Sequence, residues 1–148
     1  ARGGVTYVSP VVRYKYWVRA QWSTLFQQYL QYGYWKLKVV RKHRRPVSLR
    51  MFAPVLLVIA AVASLVSWSM GAVASTRVLA APLAVYGIAM GIAVLSVGRG
   101  QPFGKLVRLA GAFAAMHFGY GVGFGYALVR WCLGLSAHVP PRMTALTR

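Results

Sequence analysis

Residues 51–76, MFAPVLLVIAAVASLVSWSMGAVAST, decide the fold class, because no charged side chain interrupts them. A helix needs roughly 20 mainly apolar residues to cross a hydrocarbon core of about 30 Å. Residues 78–98, VLAAPLAVYGIAMGIAVLSVG, and 109–129, LAGAFAAMHFGYGVGFGYALV, are likewise free of Lys, Arg, Asp and Glu. All three stretches meet the length requirement. The chain is therefore expected to be mainly α and membrane-embedded, with a three-span region over 51–148 and helices near 51–75, 78–98 and 109–131.

Charge narrows the function. The chain carries 18 Lys and Arg and no Asp or Glu among its 148 residues. Without a carboxylate there is no Ser-His-Asp arrangement, no acidic general acid or base, and no anionic cage for Mg²⁺ or Ca²⁺. Cys132 is the only cysteine, which excludes an intrachain disulfide and a cysteine-rich metal site. His43, His117 and His138 do not fall at metal-ligand spacing. Gly98 and Gly100 lack the third glycine of a dinucleotide-binding turn. No catalytic residue, metal site or cofactor is thus expected from these residues. A basic chain seeks an anionic partner, either nucleic acid or a membrane surface. With 58% of its residues hydrophobic, this one points to a bilayer with anionic headgroups and away from nucleic acid.

Most of the positive charge precedes residue 51. Arg77 alone separates the first two apolar runs, and Arg99, Lys105 and Arg108 separate the second and third. Retention of Lys and Arg in the cytoplasm predicts an inside N-terminus, three spans and an outside C-terminus. Charges flanking the third run are balanced, so this orientation rests on the first span.

The first 50 residues divide in two. Val5 to Val8 and Val11 to Tyr16 are short, β-branched and aromatic, parted by the Ser9-Pro10 turn. Two strands alone are marginal in water, so residues 1–20 read as the edge of a larger sheet. Ser23 is then placed to cap a helix running to about His43 within a basic segment, 21–50. Trp22, Phe26, Tyr29, Gly33, Leu37 and Val40 recur at three- and four-residue intervals, giving an apolar stripe. Lys36, Lys38, Arg41, Lys42, Arg44 and Arg45 crowd its end and are candidates for contact with anionic lipid or phosphate. Such a helix suits the headgroup layer, and equally a packed position against another domain.

Small residues mark packing faces inside the spans. Gly87 and Gly91 form G-x-x-x-G, and Gly111, Ala115, Gly119 and Gly123 share a stripe beside Gly121 and Gly125. Packing within the chain is the expected use of both. His117, inside the third run, is expected to hydrogen-bond a neighbouring helix rather than to bind metal. Pro54 falls in a first helical turn, where its missing N–H matters little.

Gln31 and Trp35, four apart, share one helix face. An indole stacks on the apolar face of a sugar ring, and an amide bonds hydroxyl or phosphate oxygens. In this stretch and beyond it, the chain resembles the C-terminal portion of bacterial family 2 glycosyltransferases of the exopolysaccharide, succinoglycan-type group. The resemblance is carried by Gly3-Gly4-Val5-Thr6-Tyr7 with Ser9-Pro10, then Gln28-Tyr29, Tyr32-Gly33 and Trp35-Lys36. Lys42-His43, Ser48-Leu49-Arg50, Pro54, Met116-His117, Gly121 and Gly123-Phe124 follow in order. It implies a nucleotide-sugar-binding α/β domain, with a divalent metal and catalytic aspartates, ahead of Ala1. It also implies a bacterial inner-membrane location and, as partners, a nucleotide-sugar and a saccharide acceptor. Gln31-Tyr32-Gly33-Tyr34-Trp35 is similar to the Q-x-x-R-W motif of processive relatives, with Tyr34 where the motif has Arg. By that likeness Gln31 approaches the nucleotide diphosphate, Trp35 the acceptor sugar, and Tyr34 stands between them. The chain alone would then be inactive. A self-contained small cationic membrane protein, a structural subunit or an anionic-lipid-binding module, is the alternative.

Overall fold

The computed structural model describes residues 11, 13, 21–44, 48–135 and 138–144, and these are helical, with no strand among them. The helices are α1 (Trp22–His43), α2 (Ala53–Ser69), α3 (Val73–Val97), α4 (Phe103–Cys132) and the short α5 (Pro141–Thr144). α2, extended by a 3₁₀ turn at Leu49–Phe52, α3 and α4 are each long and apolar enough to cross a membrane. The strands expected at 5–8 and 11–16 lie outside the described residues, apart from Val11 and Arg13, and Arg45 lies outside them too.

Element ends correct several expected boundaries. α1 starts at Trp22, not after Ser23. Gln21 is its extended N-cap, and the Thr24 hydroxyl donates to the Gln21 carbonyl at 2.9 Å. Arg44 closes α1 in the left-handed region, at φ 53. α2 ends near Ser69, where Met70 and left-handed Gly71 turn the chain into α3 five residues earlier than the charge pattern suggested. α4 begins at Phe103, right after extended Pro102, so Lys105 and Arg108 lie inside the helix. The charge-free stretch understates this helix because long basic side chains bury their stems and carry their charge to the headgroup layer.

The tightest packing joins the first and last long helices. A Cβ on Gly119 would meet the Phe26 carbonyl oxygen at 2.6 Å, and one on Gly123 would strike the Leu30 carbonyl. From the other side, a Cβ on Gly33 would strike the Tyr120 carbonyl and meet the Phe124 nitrogen at 2.8 Å. Trp22 Nε1 donates to the Arg108 carbonyl at 3.3 Å, while the Arg41 guanidinium lies 4.7 Å from the Trp131 ring centre. These pairings advance together along both chains, so α1 and α4 lie side by side and run in the same direction. The apolar stripe of α1 is covered by α4. Tyr34, Leu37, Met51, Val55, Phe124, Ala127 and Met143 form the core around this seam.

α3 is different. Gly87 and Gly91 face open space, with nothing within 4 Å of an added Cβ. Among the described residues, no helix packs against this face. Small residues permit close approach but do not supply the partner.

Candidate functional site

α1 meets two parts of the chain through two sides. Phe26, Leu30, Gly33 and Leu37 meet α4 and the core it builds. Gln31 and Trp35 sit one position further round, and their donors reach a separate segment, the C-terminal one. Gln31 Nε2 donates to the Arg142 carbonyl at 2.8 Å, and Trp35 Nε1 donates to the Met143 carbonyl at 2.9 Å. Two donors four residues apart thus hold two consecutive carbonyls.

Local chemistry brings that segment back. Gly134, left-handed at φ 73, lets the chain leave α4. The Arg130 guanidinium donates to the Leu135 carbonyl at 2.7 Å and the His138 carbonyl at 2.8 Å, gathering the turn. Pro141 opens α5 at the position where a missing N–H matters least. Met143 then enters the core, which fixes its own carbonyl and its neighbour's against α1.

Tyr34 lies on the covered side of α1. It is 1% exposed, packed beside Trp35 at 5.8 Å and Tyr126 at 6.1 Å between ring centres. Trp35 is 40% exposed, so part of its ring remains accessible.

The basic residues separate by role. The Lys38 ammonium lies over two rings, 5.0 Å from Trp35 and 5.5 Å from Tyr34, and Arg41 lies over Trp131. Lys36 is half-buried, whereas Lys42 and Arg44 are exposed. With no Asp or Glu in the sequence, none of these cations has a side-chain carboxylate to pair with.

His117 Nδ1 lies 2.9 Å from the Phe113 carbonyl and 3.3 Å from the Tyr86 hydroxyl, joining α4 to α3. A carbonyl only accepts, so Nδ1 carries the proton in the first bond. Gly111 receives the Trp22 ring, at 2.6 Å from an added Cβ. No group of three His, Cys, Asp or Glu able to hold a metal occurs among the described residues.

Two contributors are only partly read from the sequence: it places Gly121 on a packing face without its partner, and Gly33 on the apolar stripe without its close contact. Gly33 is one of the places where the α1 and α4 backbones meet directly. Gly121 admits the Pro54 carbonyl of α2, with Val58 at 2.7 Å. The docked carbonyls of Arg142 and Met143 carry no sequence signal beyond the Pro140-Pro141 pair. As arranged, the site holds oxygen atoms by two donors beside a cationic helix end, and it contains no acid–base pair. Comparison with protein-family models, curated proteins and solved structures finds no match.

Proposed function

We propose that the chain is the membrane-anchoring, acceptor-side C-terminal part of a bacterial glycosyltransferase, which moves sugar from a nucleotide-sugar donor during polysaccharide biosynthesis. It sits in the inner membrane with its N-terminus cytoplasmic. The observation that carries the reading is the Gln31 and Trp35 pair, whose donors converge on adjacent oxygens at 2.8 and 2.9 Å. Main-chain carbonyls here stand where hydroxyl or phosphate oxygens of a saccharide or nucleotide would bind. Sugar transfer and any divalent metal belong to a domain that supplies the aspartates, since this sequence contains none. Binding at the pair requires the 138–144 segment to withdraw from α1.

The test is sugar transfer by the intact transferase. Trp35→Ala should lower transfer at least tenfold, equivalent to about 1.4 kcal/mol of barrier, with membrane association unchanged. Trp35→Phe should retain more activity, because stacking survives without the N–H. Trp22→Ala is the anchoring control. Equal losses from Trp22→Ala and Trp35→Ala, both with loosened membrane association, would reduce the aromatics to anchors.

A second reading is supported by the occupancy of both donors. If the pair serves only to fasten the C-terminal segment, the chain acts as a small cationic membrane protein that binds anionic lipid. Transfer would then be insensitive to Gln31→Ala, while cleavage of the segment by protease would speed up.

A further inference from the structure

We infer that the groove between α1, α2 and α4 binds one anionic glycerophospholipid, its phosphate held by Arg41 and Arg44 and an acyl chain laid along α2. The inference takes up the lipid part of the reading above and does not depend on sugar transfer. The groove encloses about 630 Å³ and is walled by apolar side chains, among them Val55 and Ile59 of α2 and Leu128 and Trp131 of α4. Among the described residues, Arg41 and Arg44 are the only charged ones that line it. Clefts of similar size along α2 and α3 have no Lys or Arg in their lining among the described residues.

Position and chemistry agree. Arg41 and Arg44 end α1, and a short link joins them to the start of α2, a helix without a single charged residue. In the proposed arrangement these arginines lie at headgroup depth, beside Trp131 near the end of α4. Val55 and Ile59 are one helical turn apart, roughly 5–6 Å, and lead away from that level into the hydrocarbon. Ile59 is 55% exposed, so the wall is open to lipid. The planar guanidinium is suited to bidentate phosphate contact, and basic pockets between membrane helices take anionic head groups. The Trp131 ring under Arg41 orients one guanidinium. Arg44, which closes α1 in the left-handed region, lines the same groove as Arg41.

A net-negative lipid is the matching occupant. In a zwitterionic headgroup the phosphate already has its own cation, whereas the sequence offers these arginines no Asp or Glu side chain.

Native mass spectrometry of the chain purified in mild detergent tests this, with phosphatidylglycerol and phosphatidylcholine of identical acyl chains supplied in equal amounts. Phosphatidylglycerol should be retained at least tenfold over phosphatidylcholine. Arg41→Gln combined with Arg44→Asn should abolish that preference. Asn tolerates the left-handed cap, so helicity by circular dichroism should not change. Ile59→Trp should reduce retention of both lipids by filling the groove. Lys105→Gln with Arg108→Gln, at the far end of α4, should leave the preference intact. Equal retention of the two lipids, or a preference that survives the Arg41 and Arg44 changes, would overturn the proposal. Loss of preference with the Lys105 and Arg108 pair would also overturn it, by making the effect one of general charge. So would displacement of the lipid by equimolar inorganic phosphate, because the groove would then contribute nothing.

Discussion

The α1–α4 pair and the α2–α3 hairpin use glycine in opposite ways. Between α1 and α4, Gly33, Gly119 and Gly123 bring main chains into direct contact, and 33% of the most apolar stretch of α4 is buried. On α3, Gly87 and Gly91 meet nothing, and the corresponding buried share is 6%. Both helices carry the small-residue spacing. The difference lies in the partner: α1 offers a complementary stripe with its own glycine, and no described helix does so for the Gly87 face. In lipid, where apolar side chains gain little by leaving one apolar medium for another, packing decides. The more polar α1 is thus held by shape, and the apolar α3 is left largely uncovered by the rest of the described chain.

Substitutions can break this comparison in graded steps. Gly123→Val should have the largest effect, because the obstacle is the Leu30 carbonyl and not a mobile side chain. Overpacking of this kind costs about 3 kcal/mol or more where the backbone cannot yield, measured as unfolding of the detergent-solubilised chain. Trp35→Ala should follow at about 2 kcal/mol, from the lost bond to the Met143 carbonyl and the lost ring contacts. Faster protease cleavage within 138–144 reports it. His117→Phe should cost about 1 kcal/mol, typical of a polar contact between membrane helices, since it removes the link to Tyr86. Gly87→Leu with Gly91→Leu should move stability by no more than about 0.5 kcal/mol, as at an exposed site. A loss as large as that of Gly123→Val would mean that α3 has a packing partner and that the contrast is false.

Much of this was legible in the sequence. The charge-free runs gave the apolar helices, because length and composition suffice for that inference. The start of α4 was misplaced, since Lys105 and Arg108 end an apolar run without ending a helix. The α1 stripe was readable from its period, but a period states that a face is covered and not by what. Tyr34 shows a sharper lesson. Leu30, Gly33, Tyr34 and Leu37 follow the i, i+3, i+4, i+7 spacing of a buried seam, so the helical period alone places Tyr34 on the covered face. The docking of 138–144 on Gln31 and Trp35 could not be read at all, because its acceptors are main-chain carbonyls that every residue possesses.

The account stands on α1 lying along α4 in the same direction, and native Cys132, exposed at the end of α4, allows a direct test. Spin labels on Cys132 and Lys42→Cys mark like ends of the two helices, and labels on Cys132 and Ser23→Cys mark opposite ends. At 1.5 Å per residue a 22-residue helix is about 33 Å long. Double electron–electron resonance in lipid bilayers should give a short 42–132 distance and a 23–132 distance longer by most of that length. A short 23–132 distance with a long 42–132 distance, or two broad distributions without a difference, would contradict the arrangement.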